Sequence, residues 1–289
     1  KLFLRNVGRL SLCWAKFKSQ FELNSTGGVS PEGPIREELS MPSVLAYHRP
    51  EILEEAISLA AQPNTIVIGG GTEAIPNVLE NQNGNIEILD LQGLNLGDIT
   101  VTRNNEGSQL SIGAMVRLSE VQENVEIPDL LRNLARKELP SALRNQATVG
   151  GTIALADKES IFLAGLLGFK AQIVINGQVQ VSLEELLNGP QLEGIITSIL
   201  IPIGQDEATS FRSVARTPMD TPIVSAIAVK FTNGQTRVVV TGIAETPEII
   251  QEEKDLKSKT PRGDFRGSPE YRLHIANVLY QRVTAEVSE

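Results

Sequence analysis

Cysteine and histidine are nearly missing from this chain. Its 289 residues include one cysteine, Cys13, and two histidines, His48 and His274. A single cysteine cannot close an internal disulfide, and it cannot hold an iron–sulfur cluster, which needs several thiolates. The histidines lie far apart without the spacing of metal ligands, so we expect no metal site. No Ser–His–Asp or Cys–His set is evident either, which leaves nucleophilic catalysis without candidate residues.

Aromatic residues, long apolar runs and excess positive charge are also lacking. Aromatic residues make up 4% of the chain, so few side chains could stack on a planar cofactor. No stretch approaches the roughly 20 apolar residues of a membrane-spanning helix. The net charge of −9 disfavours nucleic acids and anionic membranes as partners. We therefore expect a cytoplasmic protein that holds anionic ligands with backbone dipoles rather than with a basic surface.

Two clusters of adjacent glycines stand out against this composition. The first comprises Val67, Ile68, Gly69, Gly70, Gly71, Thr72 and Glu73, and the second Ala147, Thr148, Val149, Gly150, Gly151 and Thr152. Adjacent glycines allow positive φ and let the backbone approach a ligand closely. Their successive N–H groups can form an anion-binding concavity. Two such clusters could hold a pyrophosphate, which predicts a dinucleotide cofactor; for either cluster alone, ordinary turn chemistry is the alternative.

The apolar periodicity predicts a chain of mixed helices and strands. A helix at residues 51–61 and strands at 65–68 and 86–90 indicate a β-α-β-like unit. Further strands are predicted at residues 99–102, 109–113, 170–175, 178–181, 195–203, 211–214, 223–231 and 236–241, and further helices at 74–79, 119–124, 128–136, 161–167, 182–188 and 268–287. Residues 252–266 are predicted as a polar loop. The inward face of the last helix is predicted to carry Leu273, Ala276, Leu279, Tyr280 and Val283.

Taken in order, the motifs resemble one known family. They are Tyr-His-Arg-Pro at 47–50, the first glycine cluster, Ile-Gly-Ala at 112–114, Arg-Asn-Gln-Ala-Thr-Val-Gly-Gly-Thr-Ile-Ala at 144–154, and Gly-Ser-Pro-Glu-Tyr-Arg at 267–272. This order is similar to that of the FAD-binding (medium) subunit of the molybdenum hydroxylases, the carbon monoxide dehydrogenase and xanthine dehydrogenase group. The resemblance extends from about residue 41 to the last residue.

The resemblance implies an α+β fold with two subdomains that hold FAD between them, of the vanillyl-oxidase/UDP-sugar-reductase (PCMH) type. A small C-terminal α+β domain would follow. The expected boundaries are an N-terminal extension or linker at 1–40, a first FAD-binding subdomain at 41–96, a second at 97–205, and a shortened C-terminal flavoprotein domain at 206–289.

The same resemblance implies that both glycine clusters contact the pyrophosphate of FAD. Asp220 lies in a stretch that matches the family near the flavin ring, with a simple turn residue as the alternative. Ile196 is expected to pack in the core or to contact the isoalloxazine through its backbone. Electrons would arrive from a 2Fe-2S iron–sulfur subunit, fed by a molybdopterin-containing large subunit, and leave FAD for an external acceptor.

Single residues within and near the clusters have open alternatives. The hydroxyls of Thr72 and Thr148 could bind phosphate oxygens or could cap their own turns. Glu73 could be a cap or could accept a hydrogen bond from a ribose hydroxyl. Arg144 could add positive charge near the pyrophosphate or could pair with Glu138.

The chain also departs from the family pattern. Ile161 stands where such subunits commonly carry an Asp that contacts the cofactor, and Lys158 stands where a Pro is usual. The alternative function is therefore a divergent, non-catalytic assembly subunit with weak or no FAD binding. A stand-alone flavin reductase of the UDP-sugar class is disfavoured by the C-terminal motif at 267–272. We predict that side chains introduced at Gly70 or Gly151 impair cofactor binding more than folding.

Overall fold

The computed structural model describes residues 43–76, 85–104, 107–189, 193–217 and 220–289. The chain divides into two units, Lys1–Leu39 and Ser40–Glu289, and all described residues belong to the second. The predicted extension at 1–40 lies outside the described residues, as does the second half of the predicted helix at 74–79. None of the helices in the described part is long and apolar enough to cross a bilayer.

The first group of elements is a small parallel sheet with one helix. It contains β1 (Ser43–His48), α1 (Leu53–Ala60), β2 (Thr65–Ile68) and β3 (Asn85–Asp90), with the strand order β1-β3-β2. Tyr47 pairs with Ile88, and Val67 pairs with Leu89. Ala56 of α1 and Leu89 are fully buried in one core cluster. Because all three strands run in one direction, their carboxyl ends meet at one edge of the sheet.

The second group is a five-stranded antiparallel sheet covered by helices. Its elements are β4 (Ile99–Asn104), β5 (Gly107–Gly113), α2 (Leu118–Glu123), α3 (Asp129–Glu138), α4 (Ser141–Arg144), α5 (Val149–Leu155), α6 (Ile161–Gly168), β6 (Gln172–Ile175), β7 (Val179–Ser182), α7 (Leu183–Asn188) and β8 (Ile196–Ile203). The strand order is β4-β5-β8-β6-β7. Every residue of α6 is buried, and this helix forms the centre of the main hydrophobic core.

The third group is a four-stranded antiparallel sheet that packs against the last helix. Its elements are β9 (Asp206–Val214), β10 (Val224–Phe231), β11 (Thr236–Thr241), β12 (Glu248–Ile250), α8 (Glu253–Leu256) and α9 (Pro269–Glu286). The strand order is β12-β11-β10-β9. The segment 252–266, predicted as a loop, therefore contains the short helix α8. On α9, the buried residues are Arg272, Ala276, Leu279 and Val283.

Arg272 faces inward because it is the centre of a buried ionic cluster. Its guanidinium donates to the Ile223 carbonyl at 2.8 Å, to Asp264 at 2.9 Å and to Glu159 at 3.3 Å. Arg266 also donates to Glu159, at 2.7 Å. Glu159 lies in the loop between α5 and α6, so the cluster joins the second group of elements to the third.

Candidate functional site

A cavity lies at the carboxyl edge of the parallel sheet. Arg49 follows β1, Gly69 follows β2 and Gln92 follows β3, and all three residues line this cavity, whose volume is about 600 Å³. The carboxyl edge is where open parallel sheets bind their ligands, because the loops that follow the strands converge there. Residues of the second group of elements, Met115 and Thr148 among them, complete the wall. We take this cavity as the candidate functional site.

The two glycine clusters contact each other at this cavity. A Cβ at Gly70 would lie 1.9 Å from the carbonyl oxygen of Gln146, and a Cβ at Gly69 would lie 2.8 Å from Thr148 Oγ1. A residue other than glycine cannot approach so closely without displacing its neighbour. The fold therefore places the first glycine cluster directly against the beginning of the second.

The second cluster forms a helix rather than an open glycine loop. Thr148 is the N-cap of α5, and its Oγ1 accepts a hydrogen bond from the Gly151 N–H at 3.1 Å. The Gly150 N–H donates to the Ala114 carbonyl at 2.8 Å. Both glycine N–H groups are engaged within the protein, in contrast to the predicted concavity. Of the two alternatives for the Thr148 hydroxyl, the structure contains the cap.

Backbone donors at the junction of the clusters remain available to a ligand. In the described part of the chain, the N–H groups of Gly69, Gly70 and Thr148 donate no hydrogen bond. Thr148 is 4% exposed, and a polar group so buried normally has a partner. In the two clusters, Gly71 has a positive φ, +70°, and the other glycines do not. Three unused donors at one cavity wall fit an anionic ligand.

The positive and negative charges of the side chains that line the cavity nearly cancel one another. Arg49 donates to the Gln92 side chain at 3.0 Å and lies 3.8 Å from the buried Asp90 carboxylate. A hydrogen bond from Tyr47 to Asp90 raises the pKa of the Tyr47 hydroxyl above its usual value. The cavity is further lined by one cation, Arg117, and by two carboxylates, Asp98 and Glu120. The side chains together therefore give an anion in this cavity little net positive charge, as the acidic composition predicts.

The other predicted residues of the two clusters lie away from the cavity wall. Val67 is partly exposed at the end of β2, while Thr72 and Glu73 follow the first glycine loop. The Thr152 hydroxyl donates to the Thr148 carbonyl at 3.1 Å. The buried members of the clusters are Ile68, Ala147, Thr148, Val149 and Gly150. Of these buried residues, Thr148 lines the cavity and the other four do not.

The two residues predicted near the flavin ring also lie outside the cavity wall. Ile196 is 6% exposed and belongs to the main core. Asp220 forms an ion pair with Arg216 at 3.5 Å, next to residues 218–219, which lie outside the described part. Ile161, at the position where an Asp is usual, is 2% exposed in the main core.

Among the described residues, Arg144 does not form the predicted pair with Glu138, and its role near the pyrophosphate stays a prediction. Its guanidinium donates to the Leu139 carbonyl. Glu138 instead accepts a hydrogen bond from the Phe162 N–H at 2.8 Å. Arg144 is also absent from the lining of the cavity.

The polar side chains of the cavity were not predicted from the sequence. Arg49 lies in the Tyr-His-Arg-Pro motif and Gln92 lies two residues after β3, so both stand where residues of a parallel sheet meet a ligand. Their position after strands of the parallel sheet could therefore have identified them as candidate site residues. Asp98 and Arg117 carry no such signal, because tertiary contacts bring them to the site. Within the described residues, no three His, Cys, Asp or Glu side chains are grouped to hold a metal ion.

Comparison with known proteins gives consistent results. Residues 40–204 match the family model described as the FAD binding domain in molybdopterin dehydrogenase. The uncharacterized protein YgfM of Escherichia coli K12 is 25% identical over 257 residues, covering 84% of this chain and 96% of YgfM. The xanthine dehydrogenase FAD-binding subunit of Escherichia coli O157:H7 is 24% identical over 281 residues, covering 83% of this chain and 95% of the relative.

A solved structure shares the fold. A chain of carbon monoxide dehydrogenase from Hydrogenophaga pseudoflava matches with a TM-score of 0.75 and 19% identity, covering 86% of this chain and 98% of that one. This match confirms the predicted α+β fold of the PCMH type.

Proposed function

Because the chain belongs to the family of FAD binding domains in molybdopterin dehydrogenases, whose cofactor is FAD, we propose that the cavity between its two glycine clusters holds the FAD pyrophosphate. The observation that carries this proposal is that Gly69, Gly70 and Thr148 line one cavity while their N–H groups donate no hydrogen bond within the described residues. Charge-assisted hydrogen bonds from such donors are stronger than those between neutral groups. The cavity therefore fits the phosphate part of the cofactor.

The residues of the chain bind and position the cofactor. Gly69 and Gly70 lack the Cβ that would separate the two clusters. Thr148 fixes the beginning of α5 through its cap, and in our proposal its own N–H donates to the phosphate. Bound FAD supplies the electron-transfer chemistry, so no nucleophile or general base is required from the protein. This division of roles agrees with the lack of a catalytic set in the sequence.

We further propose that the protein is an oxidoreductase subunit that passes electrons from a 2Fe-2S partner subunit through FAD to an external acceptor. The sequence has one cysteine, so these 289 residues cannot hold an iron–sulfur cluster by themselves. Its relative in Escherichia coli O157:H7 is a xanthine dehydrogenase FAD-binding subunit by name. A molybdopterin-containing large subunit would supply the electrons to the iron–sulfur partner.

One observation favours a second function. Ile161 is buried at the start of α6 and offers no carboxylate to a cofactor. A divergent subunit could keep the fold and the partner contacts while binding FAD weakly. Such a protein would act in assembly rather than in electron transfer.

Isolation of the native assembly tests these functions. We expect the chain to co-purify with a cysteine-rich iron–sulfur subunit and a larger molybdenum subunit, and to release FAD on denaturation. A folded assembly without flavin, isolated from flavin-replete cells, would support the assembly function instead. A homogeneous and fully active preparation of this chain alone would overturn the proposed partners.

A further inference from the structure

Arg117 is fixed next to the point where the two glycine clusters meet. Arg117 and Thr148 form an isolated antiparallel bridge, flanked by hydrogen bonds from the Leu118 N–H to the Ala147 carbonyl and from the Val149 N–H to the Val116 carbonyl. In this bonding pattern the bridged residues form the closer type of pair, with Cα atoms about 4.5 Å apart and side chains on one face. The side chain of Arg117 therefore starts beside that of Thr148.

Thr148 also touches the first glycine cluster. A Cβ at Gly69 would lie 2.8 Å from Thr148 Oγ1. Arg117 lines the same cavity as Gly69, Gly70 and Thr148. One cation and three unused backbone donors thus share a single wall.

Arg117 differs from the other arginine of the cavity. Arg49 is held by the Asp90 carboxylate and the Gln92 side chain. Within the residues that the structure describes, the Arg117 guanidinium forms no ion pair. The nearby Glu120 carboxylate accepts the backbone N–H of Arg117 at 2.7 Å. Of the two arginines that line the cavity, Arg117 is therefore the one whose guanidinium has no ion-pair partner among the described residues.

We propose that Arg117 binds the phosphate oxygens of the dinucleotide at the junction of the glycine clusters. This inference rests on the proposed function and adds the side chain that supplies positive charge. A planar guanidinium can donate two parallel hydrogen bonds to a phosphate. Asp98 and Glu120 line the same cavity and repel an anion. Arg117 offsets that repulsion and thereby selects a phosphate-bearing flavin over riboflavin.

Titration of the full-length apoprotein with FAD tests the proposal. The variants are Arg117→Gln and, as a matched control, Arg136→Gln, which removes an exposed arginine of α3 that does not line the cavity. Loss of one charge-assisted contact predicts an FAD dissociation constant about 10- to 100-fold higher for Arg117→Gln. The control should stay within about two-fold of the wild type, since a distant surface charge is screened. The FAD affinity of the wild type should also fall more steeply with added salt than that of Arg117→Gln.

The outcomes separate this inference from the proposed function. If the wild type binds FAD and Arg117→Gln binds it equally well with the same salt dependence, the role of Arg117 is overturned and the proposed function stands. If the folded wild type binds no FAD, the proposed function itself fails. Arg117→Met also removes the charge and keeps an unbranched apolar side chain. Its FAD dissociation constant tests the same role of Arg117 if the Gln variant does not fold.

Discussion

Gly70 and Gly151 occupy similar motifs but meet different surroundings. A Cβ at Gly70 would lie 1.9 Å from a backbone oxygen, that of Gln146, so even alanine forces the two clusters apart. Gly151 is exposed in the first turn of α5, where a Cβ would meet Thr148 Oγ1 at 3.0 Å. The prediction that both glycines serve binding more than folding stays a prediction, but a side chain at Gly70 should also disturb folding, because it would meet the backbone of Gln146.

Alanine substitutions at Gly70 and Gly151 should differ in their effect on the stability of the fold. We expect Gly70→Ala to lower the free energy of unfolding by about 1–3 kcal/mol through overpacking and to lose bound FAD. Gly151→Ala should change the free energy of unfolding by no more than about 1 kcal/mol, because alanine favours the helix. Urea denaturation measures the first quantity and flavin content per folded protein the second. Equal stability of the two variants would contradict the contact between the clusters.

Arg49, Gln92 and Arg117 show how far single residues could be predicted. Both glycine clusters were evident in the sequence because adjacent glycines are distinctive. Arg49 and Gln92 follow strands of the parallel sheet and were accessible to the same reasoning. The position of Arg117 depends on its bridge to Thr148, a tertiary contact that no local pattern encodes. The roles of the candidate site residues stay predictions.

At the scale of elements, most strands and helices follow from periodicity and turn residues. The hairpin turn at Asn176 and Gly177 has φ of +52° and +73°, as an Asn-Gly turn requires. Helix α5 was missed because two glycines in its first turn have poor helix propensity, which the Thr148 cap offsets. The predicted inward face of α9 omitted Arg272, because the burial of this residue depends on partners that are distant in sequence.

A carboxyl group of α3 accepts a hydrogen bond from the first turn of α6. Glu138, the last residue of α3, accepts the Phe162 N–H at 2.8 Å. Burial raises the pKa of the Glu138 carboxyl to about 7, whereas an unfolded glutamate titrates near about 4.3. Between these values the folded protein binds more protons than the unfolded chain, so this group makes stability fall as the pH rises.

Replacing Glu138 with a residue that does not titrate should weaken this dependence of stability on pH. Between pH 5 and pH 8, the wild type should lose of order 1–3 kcal/mol of unfolding free energy relative to Glu138→Gln. Urea denaturation at both pH values measures the difference. Glu123→Gln, at an exposed position of α2, should follow the wild type. A Glu138→Gln variant with an unchanged pH dependence would show that this carboxyl titrates normally.

At the scale of the whole molecule, the ionic cluster around Arg272 holds the third group of elements on the second. Glu159 and Arg272 are 6% and 1% exposed, and a buried charge that loses its partner is strongly destabilising. The shared cluster makes the site-bearing sheets and the C-terminal sheet cooperate in folding.

Arg272→Met should therefore cost about 3–5 kcal/mol of unfolding free energy and should expose the segment 252–266 to proteolysis. Arg282→Gln, an exposed position on the same helix, is the matched control and should behave as the wild type. Urea denaturation and limited proteolysis provide the measurements. If both variants unfold alike, the ionic cluster does not join the two groups.

The fold of the whole molecule could be predicted from its sequence more completely than its activity. The order of motifs led to the α+β PCMH-type fold, which the match to carbon monoxide dehydrogenase confirms. The domain boundaries stay predictions, and so do the partners, whose contacts lie beyond this chain. The proposed electron transfer and its substrate also stay predictions.

A crystal structure of the protein with FAD bound would show directly whether this cavity holds the cofactor. We expect pyrophosphate oxygens to lie about 2.7–3.2 Å from the N–H nitrogens of Gly69, Gly70 or Thr148, in hydrogen-bonding geometry. The guanidinium of Arg117 should contact the same phosphates. Density for the pyrophosphate at any other place on the molecule would contradict the assignment of this cavity as the FAD site.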